Sequence, residues 1–280
     1  MSNPFEQAAQ FLTPGFPAGS ISTDVAHPAR MYDHYLGGRD NYLVDRDAAD
    51  TALAILPELR EIAHANRDFH RRALTLLARE HGIDQFLDLG AGLPRTDDTT
   101  TLARALRPGA HVVTVDSDPI TITHQRSRTD ASLAQISAVL LADLRHPEAI
   151  VRDPDLNRVL DLGRPVGVLM LAVLHYLPDT DQPDQIIKTL MAAVPAGSVL
   201  VLSHATADGA QYDQALHVAE LYQRTQAPIT LRDRSRIEAF FDGLHLVEPG
   251  VVAQPWWRPD RPVSADPAVN WNYGAAAVKP

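Results

Sequence analysis

Carboxylates recur in this chain where short apolar runs come to an end. Asp88 lies in the run that leads into a glycine turn, Asp116 ends the second run, and Asp143 follows the third. Because the carboxyl ends of parallel strands meet at one edge of an open sheet, we expect these three side chains to share one crevice. Three carboxylates there would repel phosphates and attract a cation. The pattern therefore favours a positively charged nucleoside as the ligand.

Two glycines follow the first aspartate at a spacing suited to close ligand contact. Gly90 and Gly92 would let the backbone approach a ligand, although the same pair also fits a plain tight turn. A dinucleotide-binding turn needs a third glycine where this chain has Arg95. Asp116 can accept hydrogen bonds from both hydroxyls of a ribose, and Asp143 can accept one from the exocyclic amine of a base. Together these residues fit a sulfonium cofactor without phosphates better than NAD.

Short apolar runs alternate with stretches of helical length after residue 82. The runs are Gln85–Leu89, His111–Val115, Ala138–Ala142, Val166–Leu174 and Ser198–Ser203. Their nearly continuous apolar character predicts parallel strands that are covered on both faces. The predicted helices are Asp97–Leu106, Pro119–Arg128, Pro183–Val194, Tyr212–Arg224 and Arg234–Phe241. We therefore predict a doubly wound, mostly parallel Rossmann-like α/β sheet, which the runs Gly243–Gly250 and Tyr273–Val278 close as an antiparallel pair.

The chain divides into three predicted parts. Residues 1–20 lack periodicity and are predicted to form a loose N-terminal arm. Residues 21–80 show helical spacing without a strand and are predicted to form a helical cap or lid. Residues 81–280 contain the alternating runs and are predicted to form the cofactor-binding core.

Composition and charge exclude several classes of function. The 280 residues carry a formal net charge of −10, which disfavours a nucleic acid as partner. There is no cysteine, which excludes thiolate nucleophiles, thiolate metal sites and disulfides, and the histidines lack a metal-binding spacing. The first twenty residues show neither a signal peptide nor a membrane span, so a cytoplasmic protein without membrane contact is expected. The sequence predicts no particular oligomeric state.

Several stretches resemble class I S-adenosylmethionine-dependent methyltransferases, and more narrowly the DUF574 family of S-adenosyl methyltransferases. The stretches that carry this resemblance are Pro28–Tyr42, Ala65–Phe69, Phe86–Pro94, Val112–Pro119, Ala142–Ile150, Val173–Asp179, Leu200–Thr206 and Phe240–Val252. They cover nearly all of the chain after the arm. The block Pro28–Tyr42 and the Leu-Pro pair after the glycines are specific to the narrow family, whereas the glycine turn is shared more widely.

The resemblance implies that S-adenosylmethionine is the cofactor and that residues at the strand ends hold it. From the methionine portion to the adenine these are Asp88, Gly90 and Gly92, then Ala172 near the sulfonium, Asp116 with Ser117 at the ribose, and Asp143 with Leu144 at the adenine. Arg67 could pair with the cofactor carboxylate, or it could be a solvated charge on its helix. Gly37, in the Gly37–Gly38 pair of the first block, is predicted to act as a lid hinge at the cofactor.

Methyl transfer is an in-line displacement, which an enzyme promotes mainly by holding donor and acceptor close and by excluding water. The block Pro28–Tyr42 is predicted to form the lid that does so. Where the acceptor must lose a proton, the candidate bases are Tyr32, His34, Tyr35 and His175. We favour His175 because it follows the fourth strand at the cofactor edge, and a structural histidine is the alternative.

The predicted function is transfer of a methyl group from S-adenosylmethionine to a small-molecule acceptor such as a metabolite or natural product. One alternative is a noncatalytic regulator or accessory protein that binds the same cofactor. A second alternative is an NAD-dependent oxidoreductase, which Arg95 at the third-glycine position disfavours.

Overall fold

One mixed sheet of eight strands organises the part of the chain that the computed structural model describes, residues 22–209, 212–263 and 271–280. The strands are β1 (Gln85–Leu89), β2 (His111–Asp116), β3 (Ser137–Leu141), β4 (Gly167–Leu171), β5 (Val199–Ala205), β6 (His245–Leu246), β7 (Val252–Ala253) and β8 (Asn272–Val278). Their order is β3-β2-β1-β4-β5-β8-β6, and β7 also pairs with β8. The first five strands run parallel, and β8 runs antiparallel to its three partners. The predicted fold class, including antiparallel pairing near the C-terminus, is confirmed.

The strand order reverses at β1, and this position decides where a ligand can bind. β1 pairs with β2 on one side and with β4 on the other. The connections after β1 and β4 therefore leave towards opposite faces and open a crevice beyond the carboxyl ends of the strands. The predicted site residues at the ends of β1, β2 and β4 border this crevice.

Helices cover the sheet and precede its first strand. They are α1 (Pro28–Tyr35), α2 (Leu43–Ile55), α3 (Leu59–Arg79), α4 (Thr99–Leu106), α5 (Pro119–Arg128), α6 (Pro147–Arg152), α7 (Pro154–Val159), α8 (Pro183–Ala192), α9 (Tyr212–Tyr222) and α10 (Arg234–Glu238). α4 begins later than predicted because the Asp98 side chain accepts a hydrogen bond from Thr101 N at 2.8 Å and so caps its first turn. None of the described helices has the length and apolar character needed to cross a membrane.

Apolar side chains cover both faces of the sheet, which explains the nearly continuous apolar runs of the sequence. Every residue of β1 is buried. On one face, α3 packs Phe69 and Leu77 against the strands, and Phe69 meets Trp257 edge-on with ring centroids 5.0 Å apart. The opposite face is covered by α6, α7 and α8, which contribute Ile150, Leu156 and other apolar side chains.

A third apolar cluster lies in the cap. α1 and α2 pack with α9 around Met31, Tyr35, Ala49 and Tyr222. α3 begins at this cluster and then packs along the sheet, so its later turns are part of the core layer. The domain boundary near residue 80 stays a prediction, and the predicted arm at residues 1–20 lies outside the described residues.

Candidate active site

A cavity at the carboxyl edge of the sheet brings together most of the predicted site residues. Those that line it are Tyr32, Arg67, Asp88, Gly90, Gly92, Asp116, Ser117, Asp143, Leu144 and Ala172. The ends of the parallel strands, α3 and the first turns of α1 all contribute side chains to its lining. The three carboxylates at the ends of β1, β2 and β3 therefore face one space.

The turn after β1 depends on two glycines for different reasons. Gly90 has φ +74°, and a Cβ there would lie 2.3 Å from Val173 Cγ2. Gly92 has φ +69°, but a Cβ there would meet no atom within 4 Å. Gly90 is therefore required for packing against the connection after β4, whereas Gly92 leaves open space on the cavity side.

Asp116 is buried and held by backbone donors on both carboxylate oxygens. Oδ2 accepts from Gly92 N at 2.9 Å, and Oδ1 accepts from Asp118 N at 2.9 Å. Burial raises the pKa of Asp116, and these two hydrogen bonds oppose the rise. Each oxygen keeps acceptor capacity, so the carboxylate is fixed in place with lone pairs to offer to two ligand hydroxyls.

Asp88 forms a second buried acidic group at the other end of the glycine turn. Thr99 Oγ1 donates to its Oδ2 at 2.5 Å. Burial raises the pKa of Asp88 to about 6, with the Thr99 hydrogen bond and the Arg67 charge acting in the opposite direction. Near neutral pH this carboxylate is mostly ionised and suited to a cationic ligand group.

His70 extends this group and is a cavity residue that the sequence analysis missed. Its Nε2 lies 2.9 Å from Thr99 Oγ1, whose single proton is directed to Asp88. His70 therefore donates from Nε2, and its buried Nδ1 has no hydrogen-bond partner. Burial keeps the pKa of His70 well below its usual value, so the ring is neutral. The sequence feature that could have identified His70 is its helical spacing from Asn66 and Arg67, which places these residues close together on α3.

Arg67 lies where the prediction placed it, but an acidic residue already holds it. Its Nε lies 3.1 Å from Asp97 Oδ2, and its Nη2 donates to the Asp97 carbonyl. Arg95 also lies 3.5 Å from Asp97, through Nε and Oδ1. A ligand carboxylate would have to share these guanidinium groups with Asp97, so the role of Arg67 stays a prediction.

The predicted adenine end is more open than the rest. Asp143 Oδ1 accepts from Arg145 N at 2.9 Å and from Arg145 Nε at 3.0 Å. Leu144 is buried, whereas Ser117 is exposed. This arrangement offers one apolar and several polar contacts to a base without enclosing it.

The favoured base, His175, is not among the residues that line the cavity, and this prediction is corrected. The short turn Leu174–Tyr176 directs its ring towards β5, where Nδ1 accepts from Ala205 N at 3.3 Å. Its ring packs against His204, with centroids 5.5 Å apart. Burial and the neighbouring Arg232 lower its pKa to about 3, so the structural alternative describes His175 better.

Three other predicted positions also lie away from the cavity lining. Tyr35 is buried in the cap, with its hydroxyl 3.0 Å from that of Tyr222, and burial raises its pKa. His34 pairs with Asp50 at 2.8 Å on the outside of α1. Gly37 has φ +72°, which suits a turn after α1, but it does not border the cavity. Their sequence proximity to Tyr32 suggested a shared site, whereas helix packing separates them.

Tyr32 does line the cavity, yet its hydroxyl proton is already engaged. It donates to the Ala63 carbonyl at 3.0 Å and accepts from Asn66 Nδ2 at 3.0 Å. Burial raises the pKa of Tyr32, which keeps the phenol neutral. These contacts do not support the predicted role as a base.

Within the described ranges, no cluster of three or more potential ligand residues could hold a metal ion.

The comparisons with known proteins agree with this geometry. The family described as S-adenosyl methyltransferase matches residues 15–280. A DUF574 family protein from Streptomyces avermitilis is 37% identical, with a TM-score of 0.88 over 92% of this chain and 99% of that one. A candidate methyltransferase from Thermobifida fusca is 35% identical, with a TM-score of 0.86 over 95% and 99%.

More distant structures share the fold. A SAM-dependent methyltransferase from Anabaena variabilis is 10% identical, with a TM-score of 0.50 over 95% of this chain and 100% of that one. The search of curated proteins gave no match.

Proposed function

The chain belongs to the S-adenosyl methyltransferase family, and from this premise we propose that it methylates a small-molecule acceptor in the cavity beneath α1. The family uses S-adenosylmethionine as methyl donor, which favours this cofactor over the nicotinamide alternative. The single observation that carries the proposal is the convergence of Asp88, Asp116 and Asp143 on one cavity. Arginines also line this cavity, namely Arg67, Arg95 and Arg145. Asp143 pairs with Arg145. Within the described part of the chain, Asp88 and Asp116 make no hydrogen bond to an arginine, so their charge fits a cationic nucleoside without phosphates.

The residues present fit this cofactor at each end. Asp116 offers fixed lone pairs to the ribose hydroxyls, and the open space at Gly92 leaves room for a ligand against the backbone. Asp88 offers negative charge to the ammonium group of the methionine portion, and the unpaired Nδ1 of His70 lies in the same group of side chains. Asp143 and Leu144 would contact the adenine.

When bound, S-adenosylmethionine supplies a methyl group on a positively charged sulfur, and its displacement leaves S-adenosylhomocysteine. The chain's own contribution is then to orient the two reactants and to keep water out. His175 lies outside the cavity wall, and the Tyr32 phenol is neutral and already donates its proton, so neither predicted base is available in the cavity. The unpaired Nδ1 of the neutral His70 lies with Asp88 at the proposed methionine end. We therefore propose that positioning dominates over proton transfer.

Side chains of α1 and the residue before it reach the loop after β2, which supports a lid role for α1. The fully buried Arg30 donates from Nε to Asp45 Oδ2 at 2.8 Å, and its Nη1 lies 3.6 Å from Asp118 Oδ2. His27 Nδ1, at the start of α1, lies 3.8 Å from the same Asp118 oxygen. Because Asp118 donates its backbone N–H to Asp116, the lid and the proposed ribose site share one loop.

A small-molecule acceptor is supported by charge and by the shape of the site. The net charge of −10 opposes association with nucleic acids. The space next to the proposed cofactor is bordered by Tyr32, Tyr176 and Leu177, which gives a largely apolar wall suited to an organic acceptor.

The test of this function is turnover. The purified protein, S-adenosylmethionine and a small-molecule extract of the producing cells should yield S-adenosylhomocysteine, measured by mass spectrometry. Extract freed of small molecules serves as the control. Tight binding of S-adenosylmethionine with no turnover in any extract would favour the noncatalytic alternative.

Binding of S-adenosylhomocysteine should depend on pH through Asp88. The pKa of Asp88 in the ligand-free protein is about 6, so its carboxylate is ionised at neutral pH and becomes protonated below pH 6. The affinity should therefore be constant at neutral pH and fall below pH 6, by up to about tenfold per pH unit. Calorimetry between pH 5 and pH 8 measures this, and Asp88→Asn should flatten the profile. An equal slope in the variant would assign the titration to another group.

The raised pKa of Asp88 also changes the stability of the ligand-free protein, in the opposite direction with pH. The pKa of Asp88 is raised above that of the unfolded chain, so its ionised form destabilises the fold above pH 6, by about 3 kcal/mol at most. Below both pKa values this cost is absent. We therefore expect ligand-free Asp88→Asn to have a higher Tm than the wild type at pH 7, and a similar Tm near pH 4.

The lid proposal predicts protection of the cap by ligand. S-adenosylhomocysteine should slow amide hydrogen exchange across Pro28–Tyr42, because contacts to the first turns of α1 favour its docked position. Exchange in α8, which lies on the far side of the sheet, should not change. Equal exchange in Pro28–Tyr42 with and without ligand would contradict a lid.

A further inference from the structure

A chain of hydrogen bonds connects the cap to the end of β4 through the cavity wall. Ala172 N donates to Ser203 Oγ at 2.8 Å, and Ser203 Oγ donates to Asn66 Oδ1 at 2.7 Å. Asn66 Nδ2 donates to the Tyr32 hydroxyl at 3.0 Å, which donates to the Ala63 carbonyl at 3.0 Å. Tyr32, Asn66 and Ala172 all line the cavity, so the chain connects three sides of it.

The carbonyl of Ala63 fixes the direction of every donor in this chain. A carbonyl oxygen can only accept, so the single Tyr32 proton must lie on that bond. Asn66 must then turn its amide NH₂ towards Tyr32 and its oxygen towards Ser203. Gln254 agrees with this orientation, because its Nε2 lies 2.5 Å from the same Asn66 oxygen. Towards the cavity, Tyr32 can therefore only accept.

The position of Tyr32 follows from the course of α1. His27, before the first turn, lies beside Asp118 at the proposed ribose end. Tyr32 bonds to Asn66, the neighbour of Arg67, at the proposed methionine end. The sulfonium joins ribose and methionine chemically, so it must lie between these two ends. The first turns of α1, from His27 to Tyr32, therefore span the part of the cavity where the sulfonium belongs, and Tyr32 lies on its methionine side.

We propose that the Tyr32 hydroxyl oxygen contacts the reactive centre of the bound cofactor and accepts a hydrogen bond from the positively polarised group carried there. Asn66 is a positioning residue, because it occupies one side of the phenol oxygen and leaves the other lone pair directed away from itself. This inference rests on the proposed function, since it presumes that the cavity binds S-adenosylmethionine.

Two cofactor analogues separate this contact from the rest of the site. S-adenosylhomocysteine has an uncharged sulfur without a methyl group, whereas sinefungin carries a protonated amine in the place of the methyl group. An acceptor-only oxygen near that position should favour sinefungin. The measured quantity is the ratio of the two Kd values, determined by calorimetry at pH 7 for each variant.

In Tyr32→Phe, we expect sinefungin affinity to fall about tenfold or more, since a hydrogen bond to a charged group is lost, while S-adenosylhomocysteine affinity changes less than about threefold. Tyr222→Phe is the matched control, because it removes another buried tyrosine hydroxyl that does not border the cavity. Its affinity ratio should equal that of the wild type. An unchanged ratio in Tyr32→Phe would overturn the proposal.

Asn66→Ala tests the positioning role. Loss of the amide donor should reduce the preference for sinefungin in the same direction, whereas a purely structural effect would weaken both ligands equally. A wild-type ratio in this variant would remove Asn66 from the proposal. If neither analogue binds the wild-type protein, the proposed cofactor site itself is wrong, and that outcome differs from a failure of the Tyr32 contact.

Discussion

Asp116→Ala should weaken the binding of S-adenosylhomocysteine by about 5- to 150-fold, which corresponds to the loss of about 1–3 kcal/mol in hydrogen bonds to the ribose. The substitution also frees the backbone N–H groups of Gly92 and Asp118, so the turn that cradles the ligand loses its anchor. Isothermal titration calorimetry at neutral pH measures the change.

Asp153→Ala is a matched control for this prediction. Asp153 also accepts two backbone hydrogen bonds, from Asp155 N and Leu156 N, but it caps α7 and does not border the cavity. This control should lose some stability and keep the wild-type affinity. Wild-type affinity in Asp116→Ala, with the protein folded, would refute the assignment of the ribose site.

Gly90→Ala should destabilise the protein by several kcal/mol and abolish measurable cofactor binding. Its Cβ would lie 2.3 Å from Val173 Cγ2 and 2.7 Å from Val173 Cβ, and its φ of +74° disfavours any side chain. Left-handed backbone at a non-glycine residue costs about 1–2 kcal/mol, and overpacking adds about 1–3 kcal/mol. Thermal unfolding and calorimetry report the two effects separately.

Gly92→Ala is the comparison that isolates the packing contribution. Its φ is similarly positive, but its Cβ would project into open space. Gly92→Ala should therefore lose only the stability that a left-handed backbone conformation costs at a non-glycine residue. Adding Val173→Ala to Gly90→Ala should restore part of the stability, because it removes the 2.3 Å contact with Cγ2 and leaves only the 2.7 Å contact with Cβ. Equal losses for Gly90→Ala and Gly92→Ala would show that the contact with Val173 does not matter.

Local patterns in the sequence were sufficient to predict the sheet and the acidic edge of the cavity. β1 and β2 are buried on both faces and therefore appear as mostly apolar runs without a regular polar alternation. Asp88 and Asp116 belong to those strands, so a correct strand assignment also places their side chains at the carboxyl edge. The order of β8 between β5 and β6 was not predictable, because no local pattern specifies which strands pair across the sheet.

The errors at the site come from tertiary packing. His175 does follow β4, as predicted, but the direction of its ring depends on the turn Leu174–Tyr176 and on contacts with β5. Tyr35 and Tyr32 share α1, and only the packing of α9 shows that Tyr35 belongs to the cap interior. His70 and Asn66 were missed because helical spacing identifies a face of α3 without telling what that face contacts.

The place of β8 in the sheet constrains the order in which the protein can fold during synthesis. β8 supplies the antiparallel partner for β5, and it also pairs with the two-residue strands β6 and β7. While a ribosome is still translating the segment between β5 and β8, the nascent sheet has an unpaired flank along β5. Such a flank is open to pairing with other chains. The β5 edge of the parallel strands therefore stays unpaired until β8, which is synthesised later, can pair with it.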